Sequence, residues 1–187
     1  MGAAATSAAA PRSGLIRLLS AIETAIAYGL QAVLAIVGTA LLASITLSVA
    51  SRYVITVGGL VWAEELPKQL FIWFIMPGVV LAVQRGSHIA VDLLVVALEG
   101  RLKQMCIVGI NLLIAAAYAC MATVALEVAG ITAAEQNPVL GISGDVPFFG
   151  LLAGSALIVV SSLIIALRVL LCGAGAVVDN RMEDTVQ

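Results

Sequence analysis

Uncharged stretches, each closed by a charge, divide the chain. Residues 24–51 form a run of 28 between Glu23 and Arg52, and residues 69–84 a run of 16 between Lys68 and Arg85. Residues 104–126 form a run of 23 between Lys103 and Glu127, and residues 146–167 a run of 22 between Asp145 and Arg168. A helix needs about 20 apolar residues to cross the hydrocarbon of a bilayer. Three runs reach that length outright. The run of 16 reaches it once Leu66 and Pro67 extend it and Lys68 and Arg85 snorkel to the two headgroup layers. Lipid offers no partner to free backbone groups, and no period-two barrel pattern is present, so the spans are helices. The predicted fold is an all-α integral membrane protein with four transmembrane helices, at about 26–51, 66–85, 104–126 and 146–168. They make one membrane domain over 21–172, between an Ala-rich tail at 1–20, expected to be disordered, and a C-terminal tail at 173–187.

Composition supports the same solvent. The chain has 187 residues, 62% hydrophobic and 11% charged, with a net charge of −2. Its mean hydropathy is +1.14. Globular soluble chains are about half apolar and about a quarter charged, and a small domain cannot hide this surplus inside. A soluble enzyme is excluded, and the lack of a basic cluster excludes a nucleic-acid partner. Met1–Pro11 lacks a positive n-region, so a cleavable signal peptide is not expected. Cys106, Cys120 and Cys172 are far apart in apolar runs and read as packing residues rather than a disulfide or zinc framework. A single histidine, His88, leaves no haem or metal centre, and no cofactor is expected.

Charge asymmetry sets the orientation. The N-terminal tail, the 85–103 connection and the C-terminal tail together hold seven basic residues, and the 52–68 and 127–145 connections hold two. The positive-inside rule places both termini in the cytoplasm and the other two connections outside.

Polar chemistry gathers at the interfaces, because no ionisable residue lies in the middle of a span. Ion or proton conduction needs such groups, and no catalytic constellation can be assembled. The first cluster is Arg52, Trp62, Glu64, Glu65 and Lys68, with Tyr53 and Trp62 as interfacial aromatics. Glu64 and Lys68 stand in the favourable order for a helical pair, and Arg52 can fold back on Glu64 or Glu65. The second cluster is Arg85, His88 and Asp92, in a segment at 87–99 that reads as a short amphipathic helix lying in the cytoplasmic interface. Ala40, Ser44, Ser48 and Arg52 recur every four residues, and Gly150 and Gly154 repeat that spacing at the start of the fourth span. Such small-residue faces let helices approach closely in lipid. Pro77-Gly78 is expected to kink or loosen the second span. Asp145-Val146-Pro147 reads as a capped helix start.

The run Arg52…Trp62-Ala63-Glu64-Glu65…Phe71-Ile72-Trp73, followed by Gly78…Arg85-Gly86-Ser87-His88-Ile89-Ala90-Val91-Asp92-Leu93-Leu94, resembles the small membrane subunit of tripartite ATP-independent periplasmic (TRAP) transporters, the DctQ type. Asn137-Pro138-Val139-Leu140-Gly141-Ile142 is similar to a further element of that family. Ser143-Gly144-Asp145 departs from it. The resemblance covers roughly residues 20–170. It implies a non-catalytic subunit of a sodium-driven, binding-protein-dependent organic-acid transporter in the bacterial inner membrane. Its implied partners are a large multi-span elevator subunit, whose scaffold it would brace, and a soluble periplasmic substrate-binding protein. The residues alone also permit a stand-alone oligomeric exporter or channel, against which the missing mid-span carboxylate counts, and an anchor for a membrane redox enzyme.

Overall fold

A computed structural model describes residues 10–54, 60–84 and 100–172. Among them are four helices: α1 (Ala10–Val54), α2 (Val61–Gln84), α3 (Gly100–Thr132) and α4 (Val146–Cys172). All four are long and apolar enough to cross a membrane, and no strand occurs among the described residues. The fold class is therefore the all-helical one expected. The 87–99 segment and the 173–187 tail lie outside the described residues.

The helices outrun the predicted spans. α1 begins at Ala10, inside the segment expected to be a disordered tail. Arg12, Leu15, Arg17, Leu18 and Leu19 are good helix formers, and Pro11 falls in the first turn, where a missing N–H costs nothing. α2 begins at Val61, five residues before the predicted start. α3 continues past Glu127 to Thr132, with Glu127 exposed. A charge ends a membrane span because it must reach water, but it does not end a helix, whose hydrogen bonds are internal.

The helices stand in the order α1–α2–α4–α3. α3 packs most extensively on α4, α2 packs on both α1 and α4, and α1 only grazes α4. Within the most apolar stretches of α2 and α4, 28% and 33% of residues are buried, against 11% in α1 and in α3, so α2 and α4 form the middle of the row. The core lies there, around Met76, Val80, Leu81 and Ile158, with Leu30 of α1 reaching in.

Close approach explains three of the helical glycines. A Cβ on Gly154 would lie 2.6 Å from Met76 Cβ, and one on Gly150 would lie 3.0 Å from the Trp73 indole. The small residues predicted at 150 and 154 thus receive the large side chains of α2. Gly38 does the same from α1, where an added Cβ would lie 2.9 Å from the Phe74 ring.

α2 contains Pro67 and Pro77 and is nevertheless one continuous helix. Each proline removes a donor from the carbonyl four residues earlier. For Pro67 that carbonyl is Ala63, and the Ser44 hydroxyl of α1 donates to it at 2.8 Å. The bond sits in a closed environment, with Ser44 4% and Ala63 0% exposed. Ala40 and Ser48, one turn to either side of Ser44, are half-buried.

Candidate functional site

The ends of α1 and α3 and the starts of α2 and α4 share one end of the bundle. Arg52, in the last turn of α1, donates to Glu64 Oε1 at 3.3 Å. Lys68 pairs with Glu65 at 2.6 Å, one turn apart on α2. Of the expected pairings, Arg52 with Glu64 forms and Glu64 with Lys68 does not. Arg52 draws Glu64 toward α1, and Lys68 turns to the neighbouring carboxylate. The Arg52–Glu64 pair is largely solvent-facing and belongs to the class that contributes little stability, and in the second pair Lys68 faces solvent while Glu65 is half-buried. Trp62 is exposed at the same end.

Glu65 has a second role. Its Oε2 accepts from Asn137 Nδ2 at 3.1 Å, tying α2 to the 133–145 connection. Asn137 organises that connection. Its Oδ1 accepts from the Val139 and Leu140 amides at 2.9 and 3.0 Å, and its backbone N–H donates to Ile142 O at 2.9 Å. An isolated antiparallel bridge joins Gln136 to Ser143. The turn between them needs a left-handed residue, supplied by Gly141 at φ 65°. In the sequence Asn137 stands out only as the first residue of the family-like element 137–142. An Asn-Pro before a Gly is a turn signal, but its bond to Glu65, 72 residues away, has no sequence signature.

α4 starts where expected, with Pro147 in its first turn. Asp145 contributes its backbone, accepting from the Phe149 amide at 3.0 Å. Its carboxylate makes no hydrogen bond among the described residues, contrary to the predicted cap. Pro147 removes one of the amides that a capping carboxylate uses. From α2, Trp73 Nε1 donates to Val146 O at 3.1 Å, fixing this helix start sideways.

The opposite end is held by three contacts that sequence reasoning missed. Gln84 of α2 donates to Ser161 Oγ of α4 at 3.2 Å, and Gln104 of α3 donates to Val169 O of α4 at 2.8 Å. Arg168 of α4 forms an ion pair with Glu23 of α1, with side chains only 11% and 16% exposed. In the sequence Glu23 and Arg168 mark only span boundaries. Their parity held the signal, since the charge opening span one and the charge closing span four must lie on the same side.

Arg85, His88 and Asp92 lie outside the described residues. Among the described residues no group of histidine, cysteine and carboxylate side chains could hold a metal, and Cys106 and Cys120 are free thiols.

A family model described as "Tripartite ATP-independent periplasmic transporters, DctQ component" matches residues 41–172. A Sinorhizobium fredii protein, y4mM, whose name states no function, is 36% identical over 163 residues, covering 87% of this chain and 30% of the relative. A Haemophilus influenzae protein named a TRAP transporter small permease protein is 26% identical over 87 residues, covering 46% of this chain and 53% of the relative. The chain thus spans about a third to a half of the length of these curated relatives.

Proposed function

The chain belongs to the DctQ component family of tripartite ATP-independent periplasmic transporters, and from that premise we propose that it is the non-catalytic small permease subunit of a sodium-driven, binding-protein-dependent organic-acid transporter. It sits in the bacterial inner membrane with both termini in the cytoplasm. Its partners are a large multi-span membrane subunit and a periplasmic substrate-binding protein. It carries no cofactor and performs no transport chemistry, and it braces the scaffold against which the large subunit moves.

The observation that carries this reading is the extent of the family match, which takes in α2, α3, α4 and the C-terminal part of α1. Two physical features support the bracing role. The spans hold no mid-membrane Asp, Glu, His, Lys or Arg, the side chains that ion and proton pathways use. Four of their polar side chains, Ser44, Trp73, Gln84 and Gln104, bond from one helix to another instead. Arg52, Trp62, Glu64, Glu65 and Lys68 take the outer end, where bracing and subunit contact share one set of charges. Arg85, His88 and Asp92 take the cytoplasmic interface. Ala40, Ser44, Ser48, Gly150 and Gly154 pack the helices.

The deciding experiment is purification of the tagged chain from its native membrane in mild detergent, with mass identification of what accompanies it. A stoichiometric large membrane protein is expected. A homo-oligomer without a partner would overturn the reading in favour of a stand-alone exporter. Substituting Glu64→Gln together with Glu65→Gln is expected to weaken assembly or uptake. Unchanged assembly and uptake would remove the outer charges from the proposed role.

A further inference from the structure

Between the last turns of α1 and the first turns of α2 lies a groove of about 370 Å³. Away from the charges its walls are Ile45, Ser48 and Val49 of α1 with Ala63 and Pro67 of α2, aliphatic apart from the Ser48 hydroxyl. Its mouth carries Arg52 and Tyr53 on one side and Glu64 on the other. Ile45 lies two turns below Arg52, so the groove runs from the charged end about 10 Å toward the span centre. Arg52 closes the 28-residue uncharged run, and Tyr53 is 85% exposed beside it. An arginine and a tyrosine at the end of a span mark the headgroup layer.

The charges at the mouth are under-used. A guanidinium has five N–H donors, and Arg52 spends one on Glu64 at 3.3 Å, a long contact for an ion pair. The two side chains are 75% and 46% exposed. A cation and an anion therefore stand side by side at the end of a span, above the aliphatic walls of the groove.

We propose that this groove is a binding site for one phospholipid with a zwitterionic primary-amine headgroup, of the phosphatidylethanolamine class. The phosphate sits on the Arg52 guanidinium, whose planar fork matches phosphate oxygens. The ammonium donates to the Glu64 carboxylate. The first methylenes of an acyl chain lie along Ile45, Val49 and Pro67, and the remainder of the lipid stays in the bilayer. Charge order sets the selectivity. An anionic headgroup gains Arg52 but has no cation for Glu64, and a choline headgroup has no N–H to donate. The site depends on membrane insertion alone, not on the transporter assignment, so either can fail without the other.

The test is native mass spectrometry of the full chain in mild detergent, with phosphatidylethanolamine, phosphatidylcholine and phosphatidylglycerol of identical acyl chains at equal concentration. One phosphatidylethanolamine is expected to be retained at about five-fold preference over each of the others, the factor one exposed charge-assisted contact supplies. Arg52→Gln, which removes the partner of a phosphate that all three lipids carry, is expected to lower retention of all three. Glu64→Gln is expected to level phosphatidylethanolamine with phosphatidylcholine. Val49→Phe, which narrows the groove and leaves both charges, is expected to lower retention of all three, with helix content by circular dichroism confirming the fold. Equal retention of the three lipids by the unmodified chain overturns the proposal. So does a preference that survives all three substitutions, which would put the lipid elsewhere.

Discussion

Ser44, Ala63 and Pro67 form a unit in which each residue accounts for another. Pro67 takes a donor from the Ala63 carbonyl, and Ser44 supplies one across the helix boundary. Ser44→Ala is expected to cost roughly 0.5–1.5 kcal/mol, the range for a hydrogen bond to a buried carbonyl. Pro67→Ala restores the intrahelical donor, so Ser44→Ala made on that background is expected to cost much less. Denaturation in detergent of the four proteins of this cycle measures the coupling, and additive costs would show that the two residues act independently. Gly154 acts through shape. Gly154→Val sets new methyl groups into Met76, and a loss of about 1–3 kcal/mol is expected from overpacking, read as a lower midpoint in the same assay.

Two ion pairs differ because of where the elements carrying them place the charges. Arg52–Glu64 joins the water-facing ends of α1 and α2. Glu23–Arg168 joins α1 to α4 with both side chains mostly enclosed. Arg168→Gln is expected to destabilise on the order of 3 kcal/mol, because Glu23 is left enclosed without its cation. Arg52→Gln is expected to change stability by about 0–1 kcal/mol. Equal effects would mean that water reaches Glu23 freely. The 133–145 connection behaves as an attached element through Glu65 and Asn137. Glu65→Gln keeps the size of the side chain but removes the charge from both of its contacts. Faster amide exchange at Val139 and Leu140 is the expected sign, and unchanged exchange would show that Asn137 holds the turn unaided.

The row α1–α2–α4–α3 makes a prediction for the whole molecule. In a chain with Cys106, Cys120 and Cys172 replaced, Gln84→Cys and Ser161→Cys are expected to cross-link, because those side chains touch. A cysteine pair drawn from α1 and α3 is expected to stay unlinked within one chain, since among the described residues those helices do not pack together. Efficient α1–α3 linkage would indicate a closed bundle. The membrane setting, the number of spans and the glycine faces at 150 and 154 were legible in the chain, because bilayer thickness and close helix approach act on local runs and spacings. The predicted pairing of Glu64 with Lys68 did not form, because α1 brought Arg52 to Glu64 and left Lys68 to Glu65. Glu23 with Arg168, Gln104 with the Val169 carbonyl, and Asn137 with Glu65 were not legible at all. Those partners lie 65 to 145 residues apart, and no periodicity spans that distance. Local patterns thus settle which segments enter lipid, whereas helix order and polar partners follow from packing, which brings distant residues within a few ångströms.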